Sequence, residues 1–178
     1  MTTVRQRVSS LVVATVLAVA ACHGRQEPET ARARTADSIV LERTLCYGSC
    51  PAYQLKIGGD GAVAFVSRNP GDTPGTQADS IAPSQVEWLL GEAERLGFYS
   101  LPAVIADDST LCPLRATDHP TATVTITRGD STHSVVDYHG CYVTHDPSVA
   151  PSVERLRRLE VAIDSVAQSS RWVRPAPR

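Results

Sequence analysis

Residues 53–57, Tyr-Gln-Leu-Lys-Ile, alternate apolar and polar side chains, so Tyr53, Leu55 and Ile57 share one face of an extended strand. Gly58-Gly59-Asp60-Gly61 follows, offering positive-φ positions for a hairpin turn, and Val63 and Phe65 carry the apolar face back on a return strand. An isolated hairpin is marginal in water, so this pattern demands more strands and a layer to cover its apolar face. The pattern recurs downstream. Ala122, Val124 and Ile126 alternate with threonines, Arg128-Gly129-Asp130-Ser131 turns the chain, and Val135 to Tyr138 returns. Ile39-Val40-Leu41 reads as a further strand running toward Cys46, and the polar stretch Ser67 to Asp79 as a loop with a short edge strand near Ser80-Ile81.

The covering layer is legible as two helices. Val86, Leu89, Leu90, Ala93 and Leu96 form one stripe, with Pro83 suited to the first turn, Ser84 and Glu87 at capping-box spacing, and Gly97 suited to the C-terminal cap. Val153, Leu156, Leu159, Ile163 and Val166 form a second stripe starting near Pro151, with Trp172 packing its end. Strands and helices come in blocks, which predicts an α+β fold: an antiparallel sheet built from two hairpins with two helices packed on one face.

The N-terminus carries a different message. Arg5 and Arg7 precede an apolar run of about a dozen residues ending Val19-Ala20-Ala21-Cys22, too short to span a bilayer and typical of a signal peptide. Its last four residues resemble the bacterial lipobox, in which a diacylglyceryl group is placed on the cysteine. The expected organisation is a lipoprotein signal peptide over 1–21, a lipidated Cys22 and flexible linker over 22–37, one domain over 38–173 and a disordered tail over 174–178. Several acyl chains on one N-terminus suffice for stable attachment. His23 in place of Asp after the lipidated cysteine favours the outer membrane, facing the periplasm.

Export makes the four remaining cysteines candidates for two disulfides. Cys112 precedes the second hairpin and Cys141 follows it, so its antiparallel strands bring the two together; that leaves Cys46 for Cys50 across Gly48. Two other chemistries compete. Cys46 and Cys50 could act as a thiol-redox pair, but their spacing is C-x-x-x-C and a strand follows, whereas low-pKa redox thiols sit in C-x-x-C at a helix N-terminus. His139, Cys141 and His145, joined by Cys112 and His119, could hold zinc if the cysteines were reduced. The disulfide reading is the stronger, and it leaves no metal and no cofactor expected.

No G-x-S-x-G, H-E-x-x-H, phosphate-cradling glycine loop or S-x-x-K is present. Seventeen basic and 19 acidic residues give a net charge of −2, which does not suggest nucleic acid. Asp107-Asp108 reads as a solvated acidic pair, and Arg155, Arg157 and Arg158 as a solvated helix surface. Tyr53, Tyr99, Tyr138 and Tyr142 are candidates to line a glycan or peptide groove, with Tyr53 and Tyr99 better suited to the core.

The order Arg43-x-x-Cys46-x-Gly48-x-Cys50-Pro51-x-Tyr53, Gly59-Asp60-Gly61, Gly97-Phe98, Asp118-x-Pro120, Ile163-Asp164 and Arg171-Trp172 resembles an uncharacterised bacterial family, domain of unknown function 6438. The resemblance runs from about Ile39 to Val173. It implies an exported or membrane-attached bacterial protein and carries no established activity. Cys112 and Cys141 look like additions to that pattern, and the polar loop after the first hairpin departs from it. Together these readings lead to the expectation of a non-catalytic, lipid-anchored envelope protein, attached to the membrane by its lipid and binding or scaffolding an envelope protein or glycan.

Overall fold

The computed structural model describes residues 37–70, 75–142 and 150–173. The signal peptide, Cys22, nearly all of the linker, His145 and the tail lie outside the described residues.

Six strands form one antiparallel sheet: β1 (Ser38–Arg43), β2 (Tyr53–Gly58), β3 (Ala62–Ser67), β4 (Thr76–Ser80), β6 (Thr121–Arg128) and β7 (Ser131–Tyr138). Their spatial order is β4-β3-β2-β1-β6-β7. The sheet is therefore larger than two hairpins. β1 pairs with both β2 and β6 and joins hairpin β2–β3 to hairpin β6–β7. β4 extends β3 at the edge, within the stretch read largely as loop. All five β4 residues are exposed, so no apolar alternation could announce it; backbone pairing alone makes it a strand. Two short strands, β5 (Leu114–Arg115) and β8 (Cys141–Tyr142), pair separately. The outer edge of β7 is partly covered, because Val136 donates its N–H to the Ala103 carbonyl at 2.8 Å.

Helices α1 (Pro83–Arg95) and α2 (Ala150–Ala167) cover one face of the sheet. Ile39, Leu41, Leu55 and Ile57 from the sheet, Leu89 and Leu90 from α1, and Leu156, Leu159 and Ile163 from α2 fall in one buried cluster. Their burial supplies the main stabilisation, since a fully buried large aliphatic side chain contributes about 1.5–3 kcal/mol. Pro83 begins α1 as expected, but its cap is Ala82, whose N–H donates to Gln85 Oε1 at 3.0 Å. Ser84 already lies inside the first turn, so the Ser84/Glu87 pairing is not the one used. Gly97, at φ 77°, ends the helix.

In the first hairpin turn only Gly61 takes a positive φ, 91°. It accepts the Ile81 N–H through its carbonyl at 2.9 Å, and a Cβ there would strike the Ile81 carbonyl oxygen. Glycine is thus required where the lead-in to α1 crosses the hairpin. At the C-terminal end Trp172 packs on Phe65, ring centroids 5.3 Å apart, and Phe65 on Tyr53 at 5.0 Å, so the end of the chain is tied to the sheet.

Candidate functional site

One row across the sheet breaks the apolar rule of its covered face. Tyr53 on β2 pairs in register with Arg43 on β1, Arg43 with Ala122 on β6, and Ala122 with Asp137 on β7. Three of these four side chains are polar, and the methyl group of Ala122 leaves room between Arg43 and Asp137. Helix α2 lays Arg157, Glu160 and Asp164 over the row. Steps of three and four residues put them on one helix face.

The groups bond mainly to one another. Arg43 donates to Asp164 Oδ2 from Nε at 3.1 Å and from Nη2 at 2.9 Å, and to Glu160 Oε2 from Nη1 at 3.1 Å. The Tyr53 hydroxyl donates to Asp164 Oδ1 at 2.6 Å, and the Ser169 hydroxyl donates to the same oxygen at 2.6 Å. Arg157 Nε donates to Asp137 Oδ2 at 2.9 Å. His139, just past β7, places Nε2 3.0 Å from Glu160 Oε2 and 3.6 Å from Asp137 Oδ2. Asp137 is 0% exposed and Glu160 1%.

Such burial is tolerable only because the charges are paired. Desolvation pulls the Arg43 guanidinium down, and Asp164, Tyr53 and Glu160 together more than offset it, leaving its pKa raised. Burial pushes the Tyr53 phenol well above its ordinary range, with the Asp164 charge adding to the shift. Tyr53 therefore stays a neutral donor and Arg43 a cation.

Arg43, Tyr53 and Asp164 all belong to the motif order that carried the family resemblance, and the fold brings them into direct contact. Asp137, Glu160 and Arg157 were missed as a site. Leu156, Glu160, Ile163 and Ala167 follow steps of four, three and four, so Glu160 occupies a core position of its helix, a signal that was available. Asp137 likewise shares the covered face with Val135. The basic trio on α2 is not simply a solvated surface: Arg157 turns to Asp137, and Arg155 Nε donates to the Leu96 carbonyl at 3.2 Å, tying α2 to the end of α1.

The cysteines meet in two pairs at disulfide geometry: Cys46 with Cys50, Cα atoms 5.5 Å apart, and Cys112 with Cys141, 5.1 Å apart. Cys141 and Cys112 are thereby withdrawn from a zinc set with His139. The first pair closes the loop between β1 and β2, where Gly48 takes φ 144°. Tyr47 on this loop is 90% exposed and Leu45 beside it 46%. Next to the loop lies a groove of about 490 Å³ lined by residues including Glu42, Arg43, Leu45, Tyr53, Gln54 and Arg68.

The four tyrosines named as groove candidates are dispersed. Tyr53 is buried as expected, whereas Tyr99 is partly exposed against Phe98 and His133. Tyr138 donates to the Ala116 carbonyl at 2.7 Å, and Tyr142 is exposed on β8. The acidic pair is not simply solvated: Asp108 Oδ1 accepts the N–H groups of Thr110 and Leu111 at 2.8 and 3.2 Å, and Asp107 faces Arg115 at 4.0 Å. Among the described residues no helix is long and apolar enough to cross a membrane.

Fold and site define a small α+β domain in which a buried polar brace stands behind a disulfide-closed loop. The chain belongs to the family described as Domain of unknown function (DUF6438), whose model matches residues 37–164. No curated protein matches the chain.

Proposed function

We propose that this protein is a non-catalytic binding module of the bacterial envelope, lipidated at Cys22, and that it engages another envelope protein through the Cys46–Cys50 loop and the groove beside it. The observation that carries this reading is Tyr47. A tyrosine 90% exposed on a loop closed by a disulfide presents a large amphipathic surface at little entropic cost, because the closure has already ordered the loop. Leu45 adds apolar area on the groove wall, and Arg68 and Glu42 supply charges of both signs. The brace behind the loop supports a scaffolding role for the motif residues: Arg43, Tyr53 and Asp164 use their polar groups on each other, and this holds the strand ends from which the loop springs.

The test is a photocrosslinking amino acid in place of Tyr47, in intact cells, with a matching probe at Arg158 on the far surface of α2. A discrete crosslinked protein from position 47, lost when Leu45 is changed to Ser, supports the reading; equal labelling from both positions overturns it. Lipidation is tested separately. Mass spectrometry of the native N-terminus shows a diacylglyceryl-modified Cys22 if the anchor exists and an unmodified terminus if it does not.

A further inference from the structure

Within the brace, one carboxylate is less well matched than its neighbours. Asp137 receives both Nε and Nη2 of Arg157, and Asp164 receives the Nε and Nη2 fork of Arg43, the Tyr53 hydroxyl and the Ser169 hydroxyl. Glu160 is left with one N–H of Arg43 and one nitrogen of His139, both on Oε2. Its other oxygen, Oε1, is buried without a hydrogen-bond partner among the described residues. A buried carboxylate oxygen lacking a donor costs on the order of 1–3 kcal/mol or more, so an unsatisfied one points to something that satisfies it.

The surroundings of Glu160 fit a cation. Asp137, His139 and Glu160 each place one ligand atom within 4.8 Å of the others, with His139 Nε2 at 3.0 Å from Glu160 Oε2 and 3.6 Å from Asp137 Oδ2. Neighbouring ligands about 2.0–2.2 Å from a tetrahedral zinc lie roughly 3.3–3.6 Å apart, so small side-chain adjustments complete three corners. Three carboxylates face two guanidiniums here, Arg43 and Arg157, and the third partner is the His139 ring, so a cation held by the neutral imidazole completes the charge balance. Those arginines hydrogen-bond the same two oxygens, Arg43 on Glu160 Oε2 and Arg157 on Asp137 Oδ2, and so hold the ligand carboxylates in place, the part outer partners play at metal sites. The His139 side chain is 26% exposed, which opens a path for the ion and a position for water at the fourth corner.

We infer that Asp137, His139 and Glu160 form a site for a divalent cation of the zinc class, bound by one imidazole nitrogen and two carboxylates where β7 meets α2. Binding takes the lone pair of Nε2, so the imidazole carries its proton on Nδ1. The site shares no ligand with the Cys141, His139 and His145 set except His139, and it leaves both disulfides intact.

The experiment uses the full chain purified in detergent with its cysteines oxidised, stripped by chelator and titrated with zinc in a calorimeter. The expected result is one equivalent per chain and a higher unfolding temperature with zinc present. Loss of outer partners alone costs metal sites 10–100-fold, so Glu160→Gln and His139→Asn, which remove ligands, each weaken binding by at least about 100-fold. His139→Asn is at a partly exposed position, and circular dichroism establishes that this variant is folded. Glu94→Gln, at an exposed position of α1 whose partner is Arg128, lies outside the brace and keeps the one-to-one stoichiometry. Absence of zinc uptake by the parent chain overturns the site, and so does uptake unchanged in the folded His139→Asn variant, which would place the ion on other histidines.

Discussion

Tyr47 and Tyr53 are six positions apart on the same motif and have opposite fates. Tyr53 is 4% exposed, its hydroxyl on Asp164, its ring on Phe65. Tyr47 stands in solvent on the loop that the Cys46–Cys50 pair closes. Two different devices hold the two ends of this stretch: a covalent closure for the loop and a set of charge-assisted hydrogen bonds for the strand that follows. Under the proposed function, the difference separates stability from recognition within a dozen residues. The inward tyrosine belongs to the brace that fixes α2 on the sheet, and the outward one is free to vary its contacts without cost to the fold.

That division is open to measurement, beginning where the largest effect is expected. Asp164→Ala deprives Arg43, Tyr53 and Ser169 of their shared acceptor at once, and breaking a buried pair in this way costs about 4 kcal/mol. Urea unfolding of the oxidised protein reads it directly. Replacing Cys46 and Cys50 together by alanine releases only a short loop, with a loss of about 2 kcal/mol from loop-closure entropy. If the double cysteine variant proves the less stable of the two, the brace is not the main fastening and the comparison reverses.

A smaller effect comes from pH. Because the folded phenol of Tyr53 has a raised pKa, the unfolded chain loses this proton first, near the ordinary tyrosine value of about 10. Its contribution is present below that pH and declines above it, by about 1.4 kcal/mol per unit, until the folded value is reached. Unfolding midpoints measured between neutral and strongly alkaline pH should fall along this slope, and Tyr53→Phe should flatten it. An unchanged slope in that variant would remove Tyr53 from the alkaline response. The smallest effect is expected at the outward tyrosine: Tyr47→Ala should alter stability by no more than about 0.5 kcal/mol, as for a surface position. A larger loss would show that the loop is packed against the domain rather than presented by it.

The hairpins, both helices and the pairing of the cysteines were legible because each rests on local periodicity or on simple strand topology. β4 was harder to see for the opposite reason. Its five exposed residues carry no alternation, and its strand character comes from β3. The polar brace was half legible. Arg43, Tyr53 and Asp164 stood out as motif members, yet nothing in their spacing announced that they touch. Glu160 looked like a gap in the α2 stripe and Asp137 like one more polar strand residue.

The sequence by itself determined the alternating faces, the glycine-rich first hairpin turn, the helical stripes and the even cysteine count, since each depends on composition or on neighbours within about one element's length. Only the tertiary structure decided that β1 joins the two hairpins, and that α2 lays Arg157, Glu160 and Asp164 across the row Tyr53, Arg43, Ala122 and Asp137. The physical reason is that a buried charge is stabilised by partners more than a hundred residues away, as Glu160 is by Arg43. Such partners are selected by sheet register and helix placement, which no local pattern encodes.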